Sequence, residues 1–468
     1  MHHAIKMTQT IALLTLLSLA GCSWQVGPDY ETPDIVVNDA WHQSLVGDSK
    51  QTDLSRWWAH LNDPTLITLI EDAEVSNLDL KIAAARIDES RALLRVVSGS
   101  RVPDVDLSGT GQRQETRAQP GLPSNTQTFR QAGIEAAWEI DFWGRVGRSI
   151  ESATASLEAG IEDRRDLSVV LYADVASTYV QLRTLQERLK LARANVALQQ
   201  ETLELVTARH KAELAPNLEL RQAELNLAST EAVIPSLRAA LAQTMHRLSV
   251  LLGAQPGSLS TRLSDNQSLP ALPEALEVGL PADLIRRRPD LRRVERQLAA
   301  QTAQIGVATA ALYPNFSLTG SFDFASVSGG LFERDNRAWS IGPFFSWNLF
   351  DGGRVRGSIA IEEARTEQLL IAYEQAVLRA LQDVEDSMVG YAEERQREAA
   401  LARTVDAAQE ADRLVRELYK RGLTNFQNVL DTQRALFGQQ DLLAESRGNV
   451  LINLISIYRA LGGGWDAP

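Results

Sequence analysis

The feature that most constrains the fold of this chain is an internal repeat at a fixed distance of 209 residues. The segment 138–146 (Trp-Glu-Ile-Asp-Phe-Trp-Gly-Arg-Val) returns as 347–355 (Trp-Asn-Leu-Phe-Asp-Gly-Gly-Arg-Val), and the same distance relates Leu252-Gly253 to Leu461-Gly462. A constant distance over more than 100 residues indicates two copies of one structural unit. We predict that each repeat supplies two strands, a long helix and a shorter helix.

Two segments in each repeat alternate apolar and polar residues with the period of a strand. Apolar residues occupy every second position over 316–324 and 339–349, and the first repeat alternates similarly over 104–111 and 131–142. Each run has about 9–12 residues, the length of a tilted membrane-spanning strand. A soluble sheet with one solvated face would alternate in the same way, but Trp and Phe near the strand ends favour a membrane. Water-facing hairpin loops are expected at about 112–127 and 325–337.

The segment from Arg145 to about Lys211 contains no proline and is predicted to form one long helix. A helix of about 65 residues would be roughly 100 Å long, so it must pack lengthwise on neighbouring helices, here those at about 217–253 and 425–461. Apolar residues recur every seven positions, which is typical of coiled coils. In the two repeats these residues are Ile161, Val175, Leu182, Leu189, Val196 and Leu203, and then Leu370, Val377, Val384, Tyr391 and Val405.

The N-terminus has the pattern of an export signal. Lys6 precedes the apolar run 11–20, which is too short to span a bilayer as a helix and suits a signal peptide. The run ends in Leu-Ala-Gly-Cys, and Cys22 is the only cysteine of the chain. This ending resembles the lipobox of bacterial lipoproteins, which implies cleavage before Cys22 and attachment of diacylglycerol and an N-acyl chain there. Ser23 in the next position is similar to an outer-membrane sorting address.

Composition argues against several classes of function. The formal net charge of −13 disfavours nucleic acid as a partner. The sequence contains no nucleophile elbow, phosphate loop or zinc-protease motif, so we expect no enzyme activity and no catalytic residue. A single cysteine and scattered histidines give no metal site, so no metal or other cofactor is expected beyond the lipid on Cys22.

Several short motifs together resemble the TolC-like outer-membrane factor family, in its NodT-type lipoprotein branch. They are Val26-Gly-Pro-Asp-Tyr30, Trp57-Trp58, Leu284-Ile-Arg-Arg-Arg-Pro-Asp-Leu291, Ala311-Leu-Tyr-Pro-Asn-Phe-Ser-Leu-Thr-Gly320, Leu349-Phe-Asp-Gly-Gly353 and Leu418-Tyr-Lys-Arg-Gly422. The resemblance implies a mainly α fold with a β-barrel part. It implies a homotrimer whose chains each give four strands to a shared twelve-stranded β-barrel in outer-membrane lipid, and long coiled-coil helices to a shared periplasmic α-barrel.

The same resemblance implies a function and partners. The chain would be the passive exit duct of a tripartite efflux pump for small molecules, lipid-anchored in the outer membrane and extending into the periplasm. Its partners would be a periplasmic adaptor (membrane fusion) protein and an inner-membrane transporter of the RND class. Two alternatives stay open: a type I protein-secretion duct of the same fold, and a structural periplasmic coiled-coil lipoprotein.

Site residues follow from the family pattern by position. Asp431 takes the place of an acidic ring at the closed periplasmic tip, and Gln427 stands where relatives often place an apolar constriction. Three carboxylates around one axis would attract cations. The turns between the helices are expected to contact the adaptor, through Leu214, Pro216, Asn217, Gly422, Leu423, Thr424 and Asn425.

The predicted organisation follows the repeat. In order, it comprises a signal peptide (1–21), a lipidated N-terminal arm and equatorial belt (22–63), helices (64–102), the first β-hairpin (103–143), the first long helix pair (144–253), an equatorial linker (254–289), a helix (290–313), the second β-hairpin (314–350), the second long helix pair (351–462) and a tail (463–468).

Overall fold

A computed structural model describes most of the chain. The described residues are 24–38, 40–42, 54–116, 125–264, 267–273, 284, 287–327 and 330–465. The predicted signal peptide and Cys22 lie outside them. The chain divides into two compact units, of which the first comprises the N-terminal segment to Asp34, Ala85–Ile161 and Arg293–Glu374. The second comprises Ile35–Ala84, Glu162–Arg292 and Gln375–Pro468.

Helices and strands follow one another in the order expected from the repeat. The helices are α1 (Pro64–Ser76), α2 (Leu78–Gly99), α3 (Arg145–Lys211), α4 (Asn217–Glu231), α5 (Val233–Leu251), α6 (Pro289–Ala310), α7 (Arg354–Lys420) and α8 (Phe426–Ala460). The strands are β1 (Asp104–Thr116), β2 (Asn125–Ile140), β3 (Asn315–Ser326) and β4 (Arg337–Ser346). A 3-10 turn at Trp57–Leu61 precedes α1. The fold is therefore mainly helical with one set of strands, as predicted.

The strands form one antiparallel sheet in the order β1-β2-β3-β4, within the first compact unit. The two hairpins meet where β2 pairs with β3, in the register Trp138↔Leu318. The first hairpin loop is shorter than expected, because the ladder continues through polar residues until Thr116 pairs with Asn125. Backbone hydrogen bonds sustain a strand whatever its side-chain pattern, so the fading alternation after Gly111 did not mark its end.

Helices α3 and α7 have 67 residues each and begin 209 positions apart. The predicted heptad line of α3 is buried at Val175, Leu182 and Leu189, but Val196 and Leu203 are only half-buried. Beyond that point the buried positions shift to Ala192, Asn195, Gln199, Thr202 and Val206. A straight helix drifts against a strict seven-residue repeat, so one line of side chains cannot face the same neighbour throughout.

The shorter helix differs between the repeats. In the second repeat it is one helix of 35 residues, whereas in the first it is divided at Ala232 into α4 and α5. Pro235 lies three residues beyond this break, and Ala444 takes its place in the second repeat. Proline has no backbone N–H and clashes with the preceding turn, which explains why the predicted single helix at 217–253 is interrupted.

The N-terminal arm is held in a groove that two glycines make possible. A Cβ on Gly144 would lie 2.6 Å from Cγ of Gln25, and one on Gly306 would lie 2.8 Å from the carbonyl oxygen of Val26. The buried Arg148 donates to the carbonyl oxygens of Val26 and Gly27, and to Asp29 at 2.6 Å. The chain is thus fixed from Gln25 onward by direct backbone approach.

An aromatic cluster fills part of the second compact unit. Trp57 is fully buried and stacks on Tyr458, with ring centroids 5.1 Å apart, while Trp58 meets Tyr172 edge-on. Gly463 admits this packing, since a Cβ there would lie 3.0 Å from Cδ1 of Trp57. The cluster therefore fastens the 3-10 turn to the C-terminal helix.

Candidate functional site

The two helix–turn–helix tips of the second compact unit have the same backbone. Helices α3 and α7 both end with a hydrogen bond from the sixth residue back to the first, from Leu214 N–H to the Arg209 carbonyl and from Leu423 N–H to the Leu418 carbonyl. This is the Schellman geometry of helix ends. The left-handed residue is Gly422 (φ 72°) in one tip and Glu213 (φ 60°) in the other. The internal repeat therefore extends to individual dihedral angles.

Exchanging the left-handed residues should have opposite effects on the two tips. We expect Gly422→Ala to weaken its tip by about 1–2 kcal/mol, because a side chain disfavours this conformation. We expect Glu213→Gly to strengthen the other tip by roughly 0.5–1 kcal/mol, because it relieves the same strain. Amide hydrogen exchange at Leu423 and Leu214 measures both changes. Effects of the same sign would show that the dihedral angle is not what limits tip stability.

A small apolar core joins the tips to each other. Its buried members are Val206, Ala223, Tyr419, Phe426, Val429 and Leu430. They come from α3, α4, α7 and α8, so this core depends on all four helix ends at once. Opening one tip would expose part of the core to water.

Tyr419 is the polar lock of this tip core. Its ring is 3% exposed, its hydroxyl donates to Glu219 at 2.6 Å, and the guanidinium of Arg209 lies 4.7 Å from its ring centroid. Arg209 also donates to the Tyr419 carbonyl oxygen at 2.9 Å. Burial and the neighbouring Glu219 carboxylate raise the pKa of Tyr419 well above its ordinary value. The hydroxyl therefore stays protonated and able to donate throughout the neutral range.

The predicted gate residues lie on the exposed face of α8. Gln427 donates to Asp431 at 2.8 Å across one helical turn. Both side chains are exposed within the single chain, whereas Phe426, Val429 and Leu430 on the other face are buried. An amide paired with a carboxylate is a polar surface, so the position of Gln427 offers no apolar constriction.

The predicted adaptor residues occupy the two tips. Leu214 and Leu423 are each 69% exposed, and Pro216, Asn217 and Gly422 are exposed as well. Two of the predicted residues shape the second tip: the Asn425 side chain accepts from the Asn428 N–H and caps α8, and the Thr424 hydroxyl accepts from the Asn428 side chain. Two leucines 209 positions apart thus project from equivalent places.

Sequence reasoning missed a buried polar layer just above the tips. Gln433 is 1% exposed and donates to Thr202, while Asn226 receives a hydrogen bond from Arg434. Buried amides are stable only with such partners. Polar residues, among them Asn195 and Thr202, recur at a spacing of seven in α3, but the prediction rested on apolar residues alone. Tyr419, Arg209 and Glu219 were missed because their contact joins positions about 200 residues apart.

The described residues contain neither a membrane-spanning helix nor a metal-binding cluster. Within those ranges, no helix is both long and apolar enough to cross a membrane. Among the same residues, no group of three or more His, Cys, Asp or Glu side chains could hold a metal ion.

Comparison with known proteins gives a consistent result across sequence and structure. The profile of the outer membrane efflux protein family matches residues 69–254 and 280–463. Nodulation protein T of Rhizobium leguminosarum bv. trifolii is 35% identical over 438 residues, 92% of each chain. The solvent efflux pump outer membrane protein SrpC of Pseudomonas putida is 32% identical over 471 residues, 98% of each chain. The solved outer-membrane channel OprN is 36% identical, with a TM-score of 0.88 over 94% of this chain and 99% of that one.

Proposed function

Because the chain belongs to the outer membrane efflux protein family, we propose that three copies of this efflux channel form the passive exit duct of a tripartite pump. The observation that carries this proposal is the tip core, where four helix ends pack around Tyr419. A small movement of the helix ends would break the hydrogen bond from Tyr419 to Glu219. Helix ends held together by a few polar contacts suit a duct that opens only when a partner binds.

The small number of strands supports an assembly of several chains. Among the described residues each chain has one sheet of four strands, with β1 and β4 at its edges, and about eight strands are the usual minimum for a closed membrane barrel. Three chains would supply twelve strands, the number that the TolC-like resemblance implies. Outer-membrane lipid would surround the apolar face that carries Trp339 and Ile341.

The partners would meet the chain at its tips. Leu214 and Leu423 are each 69% exposed, and Leu218 beside the first turn is 65% exposed. Exposed apolar residues with a polar rim are typical of a docking surface. We assign them to a periplasmic adaptor, with an RND-class inner-membrane transporter behind it. The solvent efflux relative supports small apolar molecules as cargo.

Asp431 is the proposed source of cation preference at the periplasmic end. We expect Asp431→Ala to reduce the cation-to-anion permeability ratio several-fold, because three carboxylates would be lost from one ring. Asp406→Ala, on an exposed face of α7, removes the same charge and serves as the control. Reversal potentials in planar bilayers under a salt gradient measure both variants. Equal ratios in wild type and Asp431→Ala would remove this residue from the gate.

Cys22 is the proposed lipid-attachment residue. We expect Cys22→Ser to abolish incorporation of a radiolabelled or clickable fatty acid, because the chain has no other thiol to receive diacylglycerol. The control is Ser23→Ala, which leaves the thiol in place. Label retained in the Cys22→Ser protein would exclude lipidation at this site.

The proposed function is tested by mass and transport together. The native mass of the detergent-purified protein, with detergent subtracted, should equal three chains, and the protein should restore solvent tolerance in a strain lacking its outer-membrane channel. A stable monomer would leave the four-stranded sheet open and would exclude the duct. A trimer that forms no conducting pore would favour the structural lipoprotein instead.

A further inference from the structure

The two faces of the sheet carry charges of opposite sign. Directly paired residues lie on the same face, so the register sorts the strand residues into two sets. The apolar face includes Leu107 and Ile341, and its charged strand residues are Arg113, Glu115, Arg130 and Arg337. Among the paired strand residues, the polar face has five carboxylates and no basic side chain. These carboxylates are Asp104, Asp106, Glu135, Glu139 and Asp323.

The three arginines of the apolar face form one cluster. Arg113 and Arg130 are diagonal neighbours on β1 and β2, which places their Cα atoms about 7–8 Å apart. Phe324 pairs directly with Arg337 and lies two residues from the β3 partner of Arg130. Arg337 is therefore roughly 12 Å from Arg130. All three side chains are exposed, and within the described part of the chain none of them has a carboxylate partner.

This arginine cluster lies at the end of the sheet that carries the hairpin loops. Strand β3 starts directly after α6, so Phe316 is at the helix end and Phe324, beside Arg337, is at the loop end. The eight residues between them cover about 26 Å along the strand, or about 20 Å of membrane depth at the usual strand tilt. A lipid-facing apolar band is about 25 Å tall. The cluster therefore lies at the outer boundary of that band.

Depth matters because arginine on the lipid-facing side of a barrel is strongly unfavourable at mid-depth and almost neutral at the boundary. At the boundary the guanidinium groups meet headgroups, while the residues below them meet acyl chains. Trp339, two residues from Arg337 on the same face, is 71% exposed, and Phe322 beside it is 43% exposed. Cations above an exposed aromatic surface fit an amphiphile with anionic groups above its acyl chains.

The chemistry of the cluster favours phosphate as the anionic group. The planar guanidinium donates two parallel hydrogen bonds to phosphate, so arginine is preferred where phosphate is recognised. A zwitterionic headgroup brings one phosphate together with its own cation, which neutralises it. Three arginines against the single Glu115 leave an excess of positive charge that one such headgroup does not match.

We propose that Arg113, Arg130 and Arg337 bind the phosphate groups of an outer-leaflet glycolipid whose headgroup carries at least two phosphates. The proposal rests on the proposed function, which places the sheet in the outer membrane, and it adds the class of lipid that the channel selects. The five carboxylates of the polar face repel the same headgroup. The lipid therefore binds from one side of the sheet only.

Native mass spectrometry of the delipidated, detergent-purified protein can measure this binding, with diphosphoryl lipid A as the probe. We expect Arg113→Gln/Arg130→Gln/Arg337→Gln to lower the apparent affinity at least about tenfold, because three phosphate contacts are lost. If this variant does not assemble, Arg130→Gln alone tests the centre of the cluster, with an expected loss of about fivefold.

A second triple variant controls for the loss of positive charge. Arg365, Arg397 and Arg413 lie on α7, are each at least 47% exposed, and pair with a glutamate three positions away. Replacing all three with Gln removes the same charge from another surface. The affinity for diphosphoryl lipid A should stay within about twofold of the wild type.

Monophosphoryl lipid A provides the matched ligand, because it keeps the acyl chains and lacks one phosphate. The wild type should bind it several-fold more weakly than the diphosphoryl form, and the 113/130/337 variant should bind both forms equally. Equal binding of both forms by the wild type, or equal losses in the two triple variants, would overturn the proposal. Displacement of the lipid by millimolar inorganic phosphate would overturn its assignment to a lipid.

The same spectra separate this proposal from the proposed function. A trimer that conducts normally but has no preference for diphosphoryl lipid A loses the lipid site and keeps its role as a duct. A monomeric native mass instead rejects the proposed function itself.

Discussion

Replacing Tyr419 with alanine is expected to open the periplasmic tips and to raise the resting conductance of the channel about tenfold or more. The ring is almost fully buried among four helix ends, and removing a buried aromatic ring costs about 3–5 kcal/mol. If only about 1.4 kcal/mol of that loss acts on the closed conformation, the open population rises tenfold. Single-channel recording in planar bilayers, without an adaptor, measures the change directly.

The repeat provides the matched control for this experiment. His210 occupies the equivalent position of the first repeat, is half-buried, and contacts the Ala215 carbonyl oxygen through Nδ1. His210→Ala should therefore change the resting conductance much less. Tyr419→Phe keeps the ring and removes only the bond to Glu219, so an intermediate effect of about 0.5–1.5 kcal/mol is expected. A Tyr419→Ala channel as quiet as the wild type would show that the tip core does not hold the gate.

The pH dependence of this lock has a definite sign. The pKa of Tyr419 is raised in the folded protein, so the protonated hydroxyl is favoured by folding. Its contribution is complete below the ordinary tyrosine pKa of about 10 and is lost only as the pH rises through the higher folded value. Acidification should therefore not release the tip through Tyr419.

Trp57→Ala is expected to cause the largest loss of global stability, about 3–5 kcal/mol. Trp57 is fully buried against Tyr458 and Gly463, and shrinking it leaves a cavity that a helix and a glycine backbone cannot fill. The loss should appear as a lower thermal unfolding temperature of the detergent-solubilised protein. It should also appear as faster proteolysis of the C-terminal residues after Ala460.

Two further variants isolate the cause of that loss. Trp24→Ala removes a tryptophan that is 73% exposed and should stay within about 0.5 kcal/mol of the wild type. Trp57→Phe should recover most of the stability, because Nε1 of Trp57 is buried without an acceptor among the described residues. Comparable unfolding temperatures for Trp57→Ala and Trp24→Ala would contradict the packing argument.

Features that depend on periodicity could be predicted from the sequence, and features that depend on distant contacts could not. The repeat is visible when segments 209 residues apart are compared. The helix ends at Lys211 and Lys420 precede turn residues that can be read from the sequence. Pro235 is a local signal for the break at Ala232, but the prediction placed a single helix over 217–253. The lock at Tyr419 depends on how four helix ends converge, which no spacing along the chain encodes.

The site predictions have a similar division. Asp431 and Gln427 were assigned by resemblance, and their direct contact across one turn of α8 agrees with the helical spacing of four residues. Their place relative to a channel axis depends on other subunits and stays a prediction. From Asn195 onward, several buried residues of α3 are polar. A heptad pattern of apolar residues does not include them, so the sequence prediction missed this part of the core.

The contacts that hold the N-terminal arm against Gly144 and Gly306 limit how far Cys22 can lie from the protein. Cys22 is only three positions before Gln25, whose backbone lies against Gly144. Three residues reach at most about 10 Å, a third of the hydrocarbon thickness of a bilayer. A lipid attached to Cys22 would therefore stay close to the N-terminal arm. It would limit how deeply β1 and β3, the strands after α2 and α6, can insert into the outer membrane.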